Sequence, residues 1–97
     1  MERRSLEHIS KALQAFFEDN PRMADKLAET RLIRYWNTGL GSAIAHYTSG
    51  LTIRNRTLYV RLTSAVLKNE LLMMREQLIH KLNVAADRKV IEEIVFQ

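Results

Sequence analysis

The sequence predicts an α+β domain in which a small, mixed three-stranded sheet packs against helices. Two observations carry this. The apolar periodicity switches from helical to alternating at Gly50 and back to helical at Ser64, so a β-hairpin lies between helical segments. After the hairpin comes a long apolar stripe and then a short apolar run. That connection is long enough for a right-handed crossover, which sets the third strand parallel to the second. With 97 residues, 46% hydrophobic and 27% charged, the chain is one domain's worth of sequence with ordinary globular composition.

The first helix opens at Ser5, a plausible N-cap, and carries Leu6, Ile9, Leu13, Phe16 and Phe17 at helical spacing. It stops near Asp19 and Asn20, which makes residues 1–19 an N-terminal amphipathic helix. Asn20 then caps a second helix with Pro21 in its first turn, where the missing N–H costs nothing. Leu27, Leu32, Ile33 and Trp36 give this helix its apolar side, and Trp36 is expected in the core. Gly39 and Gly41 interrupt it, and residues 42–47 form another helical turn or two, ending at Thr48, Ser49 and Gly50. Leu51 and Ile53 alternate with Thr52 and Arg54, Asn55-Arg56 is the turn, and Leu58, Val60 and Leu62 alternate with Thr57, Tyr59 and Arg61. One hairpin face is therefore apolar and the other basic. Thr63-Ser64 caps a long helix with Leu67, Leu71, Met74, Leu78 and Leu82 in one uninterrupted stripe, which Asn83 stops. Residues 87–89 are a polar connector, and residues 90–96 form the last strand with Ile94 and Phe96 on one face.

Absent chemistry narrows the function. The chain has no cysteine, so disulfides, thiolate metal sites and cysteine catalysis are excluded. No apolar run reaches the roughly 20 residues of a membrane span, and residues 1–5 lead into a charged helix, so no membrane partner and a cytoplasmic location are expected. His8, His46 and His80 fall in three different elements without ligand spacing, and Glu92 and Glu93, as strand neighbours, point to opposite faces. Gly39-Leu40-Gly41 lacks the spacing of a phosphate-cradling loop, so the chain is not itself an ATPase. A protein without catalytic activity, cofactor or metal is expected.

Charge distribution is the positive signal. The net charge is +4, and residues 30–69 contain no acid but include Arg31, Arg34, Arg54, Arg56, Arg61 and Lys68. These side chains are either solvated on a small basic domain or a polyanion-binding set. In the second reading the arginines pair phosphates while Tyr59 stacks on a base. Arg31, Arg34, Arg54, Arg56, Tyr59, Arg61 and Lys68 are then the candidate nucleic-acid-binding residues, with single- or double-stranded DNA, or RNA, as partner. A third reading is a protein-interaction or dimerisation module: Leu72, Met73 and Ile79 broaden the apolar surface of the long helix.

Several segments together resemble one bacterial family. The run of Trp36, Gly39, Gly41, Ile44, Ala45 and His46 is similar to the Trp-to-His segment of the DciA family, long listed as a domain of unknown function. Residues 57–62 followed by Ser64 resemble its L-x-V strand and helix cap. Glu70-Leu71, Gln77-Leu78 and Leu82-Asn83 resemble its long helix, and residues 94–96 its closing strand. The resemblance spans residues 26–96. It implies a type II KH-like fold, α-β-β-α-(α)-β, and an adaptor that assists loading of the DnaB-type replicative helicase on DNA. The alternative within the same fold is a general KH-like RNA- or DNA-binding module. No GXXG loop occurs, so the usual KH grip on the backbone is absent. The sequence also lacks a Trp at the start of the long helix and a Pro after the His segment, both frequent in the family, and it ends at Gln97 without the family's basic tail. Helicase contact is then expected from the folded domain or the N-terminal helix. The apolar side of that helix, Leu6, Ile9, Leu13 and Phe16, either caps the core or docks in a partner's groove, and capping is the expectation because a small sheet needs its apolar surface covered.

Overall fold

The computed structural model describes residues 10–97. The elements run α1 (Ser10–Glu18), α2 (Pro21–Thr38), α3 (Ser42–His46), β1 (Thr48–Arg54), β2 (Thr57–Leu62), α4 (Ala65–Met73), α5 (Arg75–Ala86) and β3 (Glu93–Phe96). The expected Ser5 cap, Leu6, His8 and Ile9 lie outside the described residues. No described helix is long and apolar enough to cross a membrane.

The sheet is three-stranded and mixed, in the order β1-β2-β3, with β1 antiparallel and β3 parallel to β2. This is the expected topology. Register settles which residues share a face. Leu51 pairs with Val60, Ile53 with Leu58, Leu58 with Ile94 and Val60 with Phe96, and all six point to the helices. Against them lie Ala28, Leu32 and Trp36 from α2, Leu71 from α4, and Leu78, Leu82 and Ala86 from α5. Trp36 is fully buried, as its place on the apolar side of α2 predicts, and its Nε1 donates to Thr48 Oγ1 at 2.9 Å. Thr48 Oγ1 in turn donates to Ile44 O at 2.6 Å, so no polar atom of the pair is left unsatisfied.

The two glycines before α3 have different reasons. Gly41 has φ 110°, which a side chain rarely tolerates. Gly39 sits under the ring of Tyr35, which an added Cβ would strike.

Four local expectations need correction. β1 begins at Thr48 rather than Leu51, because a bulge at Ser49 shifts the register between Thr48 and Gly50. The extra residue lets Thr48 and Leu51 face inward together, which is how Thr48 reaches Trp36. The long helix is two helices, broken at Met74 (φ −107°, ψ 17°), which leaves Met74 46% exposed instead of within the stripe. Tertiary packing turns the second half onto α2, overriding residues that would all continue a helix.

Asn83 does not stop α5, which continues to Ala86 and ends on Asp87 in the left-handed region at φ 62°. The Asn83 side chain instead clamps the next segment: its Oδ1 accepts from Val90 N at 2.9 Å and Ile91 N at 3.1 Å, and its Nδ2 donates to Ile91 O at 2.9 Å. Residues 90–92 are thus a held, irregular lead-in, and the last strand is shorter than expected. Of the side chains expected to cap the core from the first helix, Leu13 and Phe16 are 38% and 45% exposed, and Leu6 and Ile9 lie outside the described residues. Among the described residues the cover for the sheet comes from α2, α4 and α5.

Candidate nucleic-acid interface

Among the described residues, nothing covers the face of the sheet turned away from the helices. Thr52 and Arg54 on β1, Thr57, Tyr59 and Arg61 on β2, and Glu93 and Val95 on β3 lie on it by strand alternation. Of these Thr57 and Tyr59 are half-buried and the rest exposed. Tyr59 holds the middle position, flanked by Thr52 on one side and Val95 on the other. The Arg54 guanidinium lies over the Tyr59 ring, 4.7 Å from its centroid, a cation–π contact between diagonal neighbours on paired strands. Arg61 follows Tyr59 by two residues on the same strand and the same face. Glu93, the one acid that alternation places on this face, is paired with Arg75 at 3.4 Å from α5. The face therefore carries two arginines whose charge no described acid neutralises in an ion pair.

Three of the seven candidate residues, Arg54, Tyr59 and Arg61, are brought together here. Arg56 stands apart at the hairpin tip. Its Nε meets Glu92 Oε2 at 3.1 Å and its Nη2 donates to Lys89 O at 3.0 Å, so it ties the turn to the segment that precedes β3. Asn55 and Arg56 have φ 50° and 60°, the doubly left-handed turn that fits the twist of a two-residue hairpin, without the glycine that usually supplies it. Arg31 and Arg34 lie on α2. Arg31 Nη1 donates to Ala86 O at 3.3 Å, satisfying a carbonyl at the C-terminal end of α5, while Arg34 is exposed. Lys68 is half-buried on α4. The structure thus separates the candidates into one cluster on the sheet, one structural tie at the turn, and three cations on helices of the opposite layer.

Val95 is the member of the face that sequence reading missed. Placing Ile94 and Phe96 inward already sets Val95 outward, but only the parallel register puts it beside Tyr59. Elsewhere, Glu92 and Glu93 belong to two separate ion pairs, with Arg56 and Arg75, rather than to one carboxylate site. Among the described residues no group of His, Asp and Glu could hold a metal ion.

Against known families, the sequence matches the one described as Dna[CI] antecedent, DciA, over residues 8–96. The chain belongs to the DciA family. The match begins well before residue 26, so the DciA region takes in α1, which the sequence resemblance left outside. Neither a curated protein nor a solved structure matches this DciA chain. Membership associates the protein with helicase loading in DNA replication rather than with a catalytic reaction. The order of helices, hairpin, two helices and parallel strand agrees with the arrangement that the DciA resemblance implies.

Proposed function

We propose that this protein is a non-enzymatic adaptor of the DciA type, which binds nucleic acid and assists loading of the DnaB-type replicative helicase on DNA. Family membership over residues 8–96 supports the helicase side of this reading. The observation that carries the nucleic-acid side is the open sheet face, where Arg54 and Arg61 flank Tyr59 and the neighbouring acid is taken up by Arg75. Guanidinium groups bind phosphate with paired hydrogen bonds and lose little hydration in doing so. Binding through such contacts releases counterions and so weakens steeply with salt.

The test is a titration of the protein against the DnaB-type helicase, with and without single-stranded DNA, alongside direct titration of the DNA across a range of salt. The expected result is helicase capture, and DNA affinity that falls linearly on a log–log plot against salt. Helicase binding without any nucleic-acid binding would reduce the protein to a protein-interaction module. Salt-dependent nucleic-acid binding without helicase capture would leave a general KH-like binding module.

A further inference from the structure

We infer that the open sheet face takes single-stranded nucleic acid by stacking an unpaired base on Tyr59, with Arg54 and Arg61 holding the phosphates on either side of it. The inference rests on the nucleic-acid reading above and specifies its ligand.

Three features point to a single strand. The first is shape. The major groove of a duplex admits a helix or a two-stranded ribbon, whereas this surface is the broad side of a three-stranded sheet backed by helices. The second is the aromatic ring at its centre. Tyr59 lies between Thr52 and Val95 on the adjacent strands, and Val95 is 37% exposed, so ring and isopropyl group form one apolar strip across two strands. A base reaches such a strip only with its flat side, and that side is free only when the base is out of a helical stack.

The third feature is the placement of charge. Arg54 is opposite Thr57, two residues before Tyr59, and Arg61 is two residues after it. At about 3.3 Å per residue the backbone positions of the two arginines stand roughly 6–7 Å to either side of Tyr59 along the strand direction, within reach of their long side chains. A nucleotide seated on the ring thus has a cation near each of its two flanking phosphates. In the free protein Arg54 covers the Tyr59 ring, 4.7 Å from its centroid. An incoming nucleotide gives that guanidinium a phosphate and frees the ring for the base, so one contact is exchanged for two.

The experiment is fluorescence anisotropy with the full chain and four probes: a single-stranded DNA, an RNA of the same sequence, the matching duplex, and an abasic strand with the same phosphates and no bases. Tyr59→Leu is expected to weaken binding to whichever base-bearing single strand the protein prefers by about tenfold, within the range that one stacked base is worth. It should leave the duplex and the abasic strand within twofold. Tyr59→Phe should keep the affinity within twofold, and Val95→Gln should weaken the single strand severalfold without changing the duplex. Val95 stands on the exposed side and gives a second route if Tyr59→Leu unfolds the protein. Equal losses on base-bearing and abasic strands, or single-strand affinity unmoved by both substitutions, would overturn the inference while leaving nucleic-acid binding intact. A wild-type protein that binds none of the four probes at low salt would overturn the proposed nucleic-acid function itself.

Discussion

Replacing Asn83 with alanine should unlatch the entry to β3. The side chain makes three hydrogen bonds to residues 90 and 91, two as acceptor and one as donor. Each such bond contributes about 1 kcal/mol net, and the groups left behind are main-chain N–H and C=O that must find water or go unpaired. Asn83 itself is only half-buried, although Val90 and Ile91 belong to the core, so solvent recovers some of that loss. The expected cost of Asn83→Ala is about 2–3 kcal/mol. A domain of this size is stable by roughly 5–15 kcal/mol, so the melting temperature should fall by roughly 10–20 °C. Asn83→Asp keeps both acceptor bonds and forfeits only the donor to Ile91 O, so its cost should be nearer 1 kcal/mol. Urea denaturation followed by circular dichroism measures all three proteins, and an unchanged slope would assign the shift in midpoint to stability alone. A cost below about 1 kcal/mol for Asn83→Ala, or an aspartate variant no better than alanine, would show that the clamp is incidental to the fold.

Other expectations follow from the same structure. Arg54→Ala with Arg61→Ala should flatten the salt dependence of single-strand binding by about 1.4 log units per log unit of salt, at about 0.7 per phosphate, and adding Arg56→Ala should change it little, because Arg56 is held by Glu92 and Lys89 O. Arg56→Gly should be more stable than Arg56→Ala by about 1 kcal/mol in thermal melts, reversing the usual order, because position 56 has φ 60°. Ser64→Ala should cost about 1 kcal/mol by denaturant titration, since its side chain accepts from Leu67 N at 3.1 Å at the start of α4. Leu13→Ala and Phe16→Ala should each cost under about 1 kcal/mol, against about 2–5 kcal/mol for a buried residue such as Leu82, and a larger loss at either would show that α1 covers the core.

What was legible in the sequence was local or periodic. The change of period at Gly50 and Ser64 located the hairpin, strand alternation separated the apolar face from the basic one, and Asn20-Pro21 marked the start of α2. Trp36 could be assigned to the core because it shares the apolar side of α2 with Leu32, where a Trp more often anchors packing than meets a ligand. What was hidden depended on partners distant in sequence. Nothing in Leu72, Met73, Met74 and Arg75 disfavours a helix, so the break at Met74 comes from packing alone. Asn83 has the composition of a helix stop and acts as a clamp because Val90 and Ile91 return to it. In the candidate site, Tyr59 and its arginines were visible as alternate residues of a hairpin. That Arg56 leaves the group for Glu92, and that Val95 joins it, depended on a register no local pattern encodes.

Because β3 joins β2 in parallel, the outer surface of the sheet is completed by chain far downstream: Thr57 pairs with Glu93, and Tyr59 with Val95. The hairpin can close within microseconds on local contacts, whereas this pairing must first close a loop that contains both α4 and α5. A nascent or partly unfolded chain holding only the hairpin would present Tyr59 beside an unfilled strand position, with Arg56 deprived of Glu92. The outer face of the sheet is thus complete only once the parallel pairing has formed, and the proposed recognition would double as a check on the integrity of the whole domain.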